Sequence, residues 1–204
     1  MPPRSTLIWR GLSGSSKQAE AQLTHSPDRY GTVPQLLHWI TVVLVFMAWT
    51  LGTFGDDLPR GSARATGLLI HISAGLLILV ALLAWRTAVP PPPAEPNEFR
   101  RWLGVFADPS ARFVQYALYA LLVVVPVTGI ATQFARGEAL PMFGLSEIAS
   151  PWIRDRVFAR SVKEIHEIAA NALVIVAGFH AAAALIHHVV FGDNTLIRML
   201  PRGK

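Results

Sequence analysis

The placement of charge along the chain constrains the fold more than any other feature. Asp, Glu, Lys and Arg are absent from residues 30–55, 65–85, 113–135 and 168–192, four stretches of 26, 21, 23 and 25 residues. About 20 mostly apolar residues carry an α-helix across a hydrocarbon core of about 30 Å, so each stretch is long enough for one crossing and too short for two. The expected fold is an all-α membrane protein, a four-helix transmembrane bundle with spans at about 34–55, 65–87, 113–135 and 162–190. An overall charged content of 15%, against about 25% in an ordinary soluble domain, agrees.

Residues 1–29, rich in Ser, Gly, Gln and Ala, read as a polar tail, and residues 30–204 as a single membrane domain. The tail lacks an apolar run followed by a small-residue cleavage site, so a secretory leader is not expected there. A net charge of +5 would suggest nucleic acid in a soluble chain. Here the basic residues flank hydrophobic spans, so the lipid bilayer is the expected partner and nucleic acid is not. With even-numbered crossings, 11 of the Lys and Arg residues fall on the side of the termini and 7 on the other. The positive-inside rule then places both termini in the cytoplasm of a multi-pass inner-membrane protein. Pro90 to Pro93 reads as a stiff connector. Pro126 is expected to kink the third span. Between the third and fourth spans, Ile148, Trp152, Ile153 and Val157 recur near helical spacing, and a short amphipathic helix on the membrane surface is expected.

Cysteine is absent, which excludes disulfides, iron–sulfur clusters, thiolate metal sites and thiol nucleophiles together. Histidine carries the chemistry that is left. Six of seven histidines lie in or at the edges of the spans: His38, His71, His166, His180, His187 and His188. Ionisable residues in a membrane are costly and normally face a bundle interior, a cofactor or water. Counting along the helices puts His38 and His180 at one membrane level and His71 and His166 at the other. His166 and His180 are 14 residues apart, close to four turns, so they leave the same helix face at a separation of about 21 Å. Four ligands so arranged cannot share one ion. Two pairs, each bridging two helices, fit two haems with two axial histidines apiece. Gly52, 14 residues after His38, and Gly75, one turn after His71, leave room for a porphyrin face or for ordinary helix packing.

The stretches LLHWI (36–40), LIHISAGLLIL (69–79), SVKEIHEIAA (161–170) and GFHAAAALIHHVVFGDNTLIRMLPR (178–202) resemble the bacterial four-helix cytochrome b561 family over roughly residues 28–202. The last stretch is the most specific. The resemblance implies two haem b groups, with His38, His71, His166 and His180 as the axial ligands of the haem iron. It also extends to a superoxide oxidase that delivers its electron to ubiquinone, which implies a superoxide:ubiquinone oxidoreductase activity.

Iron held by two histidines has no open axial position, so outer-sphere electron transfer is the expected chemistry. A membrane quinone is the natural partner for such a carrier. His187 follows His180 by 7 residues, about two turns, and shares its face, whereas His188 is rotated away. His187 could hydrogen-bond a quinone carbonyl or anchor the helix end at the headgroups. Arg100 and Arg101 are weaker quinone candidates that also serve as positive-inside anchors. On the other side, Arg154, Arg156, Arg160 and Lys163 precede His166, and a basic surface would favour a small anion such as superoxide, although Glu138, Glu147, Asp155 and Glu164 of the same loop dilute the field. Two further readings stand beside an electron carrier between a periplasmic donor and ubiquinone. One is a haem-bearing membrane anchor that relays electrons for a separate dehydrogenase. The other is a histidine-rich channel, for which the expected intramembrane carboxylates are missing.

Overall fold

The computed structural model describes residues 30–88 and 107–200. The N-terminal tail, Pro90 to Pro93, Arg100 and Arg101 lie outside the described residues. Four long helices run through the rest: α1 (Thr32–Phe54), α2 (Ser62–Ala88), α3 (Ala107–Ala135) and α4 (Arg156–Val189). All four are long and apolar enough to cross a membrane. They form the expected four-helix bundle.

α3 and α4 start about six residues before the spans anticipated at 113 and 162. Absence of charge marks only the part of a helix that sits in hydrocarbon. For α4 the true start is a capping signal, since Asp155 Oδ1 accepts from the Val157 and Phe158 N–H groups at 2.9 and 3.0 Å. The first two turns of α4 then carry Arg156, Arg160 and Lys163 beyond the apolar stretch. Pro126 lies inside an unbroken α3.

The α3–α4 link departs from the amphipathic helix anticipated there. Leu140–Met142 (β1) and Ser146–Ile148 (β2) pair antiparallel, with Leu140 opposite Ile148. Phe143 and Gly144 turn the hairpin at φ 58° and 74°. Helical spacing of Ile148, Trp152, Ile153 and Val157 does not propagate because Pro151 interrupts it and Asp155 begins a new helix instead.

The helices form a ring in chain order. α1 packs extensively on α2 and α3 on α4, α2 meets α3 less, and α1 meets α4 over the smallest of these interfaces. Ala74 and Ile78 of α2 are buried against Leu44 of α1, and Leu122 of α3 packs on them. Phe46, Leu83, Phe113, Ile168 and Phe179 point outward and are exposed, as lipid-facing residues are. The bundle is thus two tight helical hairpins with a lightly bridged seam between α1 and α4.

Candidate functional site

At the end of the bundle that carries the β-hairpin, α2 and α4 bring His71 and His166 together. Their ring centres are 6.0 Å apart and the ring planes stand at 82°. His71 Nδ1 lies 2.8 Å from the Ala48 carbonyl of α1. His166 Nδ1 lies 2.9 Å from the Val125 carbonyl of α3. A carbonyl can only accept, so in both rings Nδ1 bears the proton and Nε2 keeps its lone pair, the tautomer a metal ligand needs. Thr128 Oγ1 adds a contact to His166 Nδ1 at 3.3 Å and donates to the Val124 and Val125 carbonyls.

The two histidines use one local device. Each leans on the carbonyl of residue i of a neighbouring helix, and residue i+4 of that helix is glycine: Ala48 with Gly52, Val125 with Gly129. A Cβ at Gly52 would fall 3.0 Å from His71 Cε1, and one at Gly129 3.2 Å from His166 Cε1. The missing side chains give each imidazole its seat. Gly75 faces α3, where a Cβ would make ordinary contact with Pro126 Cβ at 3.7 Å. Gly52 and Gly129 therefore sit directly under the histidines, whereas Gly75 lies against Pro126 and also lines the cavity.

These rings border a cavity of about 540 Å³ between the helices, within the span of roughly 300–1,000 Å³ usual for small-molecule and cofactor sites. Gly52, Gly75, Gly129 and Trp49 line it, and Arg64, Arg136 and Lys163 bring positive charge to it, opposed in part by Asp56 and Glu167. Arg64 is held by the Asp56 and Leu58 carbonyls, and Lys163 Nζ pairs with Glu167 Oε1 at 2.7 Å. Trp49 Nε1 donates to Asn171 Oδ1 at 3.0 Å, a tie across the α1–α4 seam. Among the described residues no three His, Asp or Glu side chains converge as a metal cage would need, so the histidines stand as a pair.

The residues fit haem b at this level. A metal at about 2.0 Å from each of two imidazole nitrogens sets the ring centres roughly 6.4 Å apart, and 6.0 Å is observed. The charge supplied by Arg64, Arg136 and Lys163 suits carboxylate groups.

At the opposite end, His38 of α1 and His180 of α4 lie within electrostatic range of each other. His38 Nδ1 is buried without a hydrogen-bond partner, and its ring stands edge-on to Trp39 at 5.3 Å. His180 is exposed, and a Cβ on neighbouring Gly178 would meet nothing within 4 Å. A buried imidazole nitrogen without a hydrogen-bond partner, on a ring within electrostatic range of a second histidine, suits a ligand that takes both.

His187 is half-buried and His188 exposed, in keeping with their helical phase. His187 Nδ1 meets Asp193 Oδ2 at 2.5 Å. The sequence reading missed Asp193, Gly129 and Asn171. Gly129 is on the one span without a histidine, so no ligand offset points to it; the carbonyl-to-glycine step of four residues is the signal that would.

Four apolar spans, with His71 and His166 paired between two of them, suit a membrane electron carrier. The chain belongs to the prokaryotic cytochrome b561 family, whose model matches residues 29–202, and is a cytochrome b561-type membrane electron carrier for which the family implies haem b. It is 32% identical over 179 residues to a probable superoxide oxidase of Yersinia pestis, covering 85% of this chain and 97% of that one. It is also 30% identical over 190 residues to cytochrome b561 homolog 1 of Escherichia coli, covering 87% and 99%. Cytochrome b562 of Cereibacter sphaeroides is 27% identical over 188 residues, covering 87% and 98%.

Proposed function

We propose that this protein oxidises superoxide on the outer face of the inner membrane and passes the electrons through two haem b groups to ubiquinone. His71 and His166 would hold one haem at the outer level, and His38 and His180 the other at the inner level. Both termini lie in the cytoplasm. When bound there, haem would supply one-electron chemistry. The chain's own residues orient the ligands, through the Ala48 and Val125 carbonyls, and gather positive charge at the outer cavity through Arg64, Arg136 and Lys163. That charge serves the haem carboxylates and draws an anionic donor.

The observation that carries this reading is the 6.0 Å, nearly perpendicular His71–His166 pair on the cavity wall. The reaction balances as two superoxide, one quinone and two protons giving two molecules of oxygen and one quinol. The similarity to a probable superoxide oxidase supports the choice of donor, and the positive-inside bias supports the orientation.

Stopped-flow mixing of superoxide with the oxidised, haem-loaded protein tests the reading. Rapid haem reduction is expected, followed by reoxidation when a short-chain quinone is present. Haems that superoxide leaves oxidised would sink the donor assignment and point to a relay for a separate dehydrogenase. A pyridine haemochrome assay is expected to give two haems per chain.

A further inference from the structure

The turn that ends α4 holds a side-chain pair apart from both haem levels. The Val190 and Phe191 N–H groups both bond the Ile186 carbonyl, and Gly192 then takes a left-handed φ of 64°. That reversal brings the Asp193 N–H to the His187 carbonyl at 3.1 Å and the Asp193 carboxylate to His187 Nδ1 at 2.5 Å. The second carboxylate oxygen accepts the Thr195 N–H at 2.9 Å. Both side chains of the pair are 14% exposed.

The segment that follows is fastened to α1. Gln35 Nε2 donates to the Arg198 carbonyl at 3.0 Å, and Trp39 Nε1 to the Met199 carbonyl at 2.8 Å. Asp193 is thereby placed by two elements and both of its oxygens are used. Burial works to raise its carboxyl, but the hydrogen bonds from His187 and Thr195 outweigh it and hold the group below the ordinary carboxylate range. Among the described residues, the other ionisable groups toward this end include Tyr30 and Arg198, stacked at 5.8 Å, Arg112, Tyr116 and Tyr119 of α3, and the exposed His188.

We propose that Asp193 and His187 form a proton-delivery pair for quinone reduction, His187 as the donor that touches the quinone and Asp193 as its positioning residue. This rests on the reading that quinone binds beside His187. Because a carboxylate can only accept, Asp193 keeps the proton on His187 Nδ1 and turns Nε2 toward the substrate. The nearby negative charge also compensates the imidazolium before it gives up its proton. In each transfer the His187 Nε2–H bond breaks as an O–H bond forms at a quinone carbonyl oxygen. The neutral ring, still bonded to Asp193 through Nδ1, regains a proton at Nε2 from water on the face that carries the chain termini. Two such transfers match the two electrons that arrive from the external donor and complete one quinol.

The test uses the haem-loaded protein in nanodiscs, reduced by superoxide and reoxidised by a short-chain quinone. Asp193→Asn keeps an acceptor for His187 Nδ1 and removes the charge. Both haem spectra and the quinone KM are expected to stay within twofold, while the maximal reoxidation rate falls about tenfold or more. Asp193→Glu is expected to recover most of that rate. His187→Gln is expected to slow reoxidation at least as much and to abolish the solvent deuterium isotope effect seen with the unchanged protein. If His187→Gln reoxidises normally, the quinone lies elsewhere and both the reading and the pair fail. If His187→Gln is slow but Asp193→Asn is normal, or changes only KM or haem content, the quinone reading stands and the pair fails. Should Asp193→Asn not accumulate with haem, the isotope effect decides, and its absence in the unchanged protein overturns the proposal.

Discussion

A glycine under an imidazole sets how closely the ring can approach a neighbouring helix. A methyl group at Gly52 would crowd His71 at 3.0 Å, and one at Gly129 would crowd His166 at 3.2 Å, so each ring would have to give by a few tenths of an ångström against its carbonyl bond. Gly52→Ala and Gly129→Ala are each expected to cost about 1–3 kcal/mol in overpacking and to strip the haem at the hairpin end. Redox-difference spectra should then lose one component and keep the one that His180→Ala removes. Gly75→Ala, with its nearest contact at 3.7 Å, should leave both components in place. Equal haem loss in all three variants would sink the distinction between a ligand seat and a helix contact. The histidines themselves were legible as residues because polar groups in a charge-free span stand out, and the step from His166 to His180 follows from helix pitch alone. Their anchors were not legible, since backbone carbonyls look alike in a sequence and only the packed neighbour helix shows which one is reached.

Among the elements, the segment from Phe191 to Leu200 shows how much a short tail can depend on side-chain contacts. It docks on α1 through Gln35 and Trp39 and on α4 through Asp193. Trp39→Phe removes the donor to the Met199 carbonyl and is expected to cost about 1 kcal/mol, with faster hydrogen exchange at residues 196–200 and both haems retained. Acidity should act on the same segment. The Asp193 carboxyl lies below its ordinary value when folded, so its contribution is complete above the ordinary carboxylate range and is lost as the pH falls through the folded value. Exchange at residues 193–199 should therefore rise in acid, and Asp193→Asn should flatten that dependence. An unchanged pH response in the variant would assign the acid sensitivity to another group. Element boundaries were legible where charge and hydrophobicity coincide with the helix, as in α1 and α2. They were hidden where a helix runs on into water, as in the charged first turns of α4. The β-hairpin was hidden for a different reason: its turn rests on left-handed Phe143 and Gly144, whereas the apolar spacing around Trp152 imitates a helix.

Across the whole molecule, the helix interfaces are unequal in a way that follows the histidines. His71 and His166 lean on α1 and α3 through backbone bonds, while His38 and His180 come from α1 and α4, the adjacent helices that touch least. A ligand taken by both histidines of a level joins helices that the protein alone joins weakly. Any group bound only by the folded form stabilises it by mass action, and here that stabilisation falls on the α1–α4 seam, where Trp49 and Asn171 supply a side-chain tie. Haem-depleted protein is therefore expected to loosen at this seam while the α3–α4 hairpin holds. The chain has no cysteine, so paired spin labels report cleanly. Val43→Cys with Ile175→Cys spans the seam, and Val127→Cys with Ile175→Cys spans the α3–α4 hairpin; all three positions are exposed and tolerate a label. The first distance should broaden on haem removal and narrow on reconstitution, while the second stays sharp in both states. Equal broadening of the two would mean that haem holds the bundle as a whole. A seam distance indifferent to haem would mean that Trp49, Asn171 and the docked C-terminal segment suffice to hold α1 on α4.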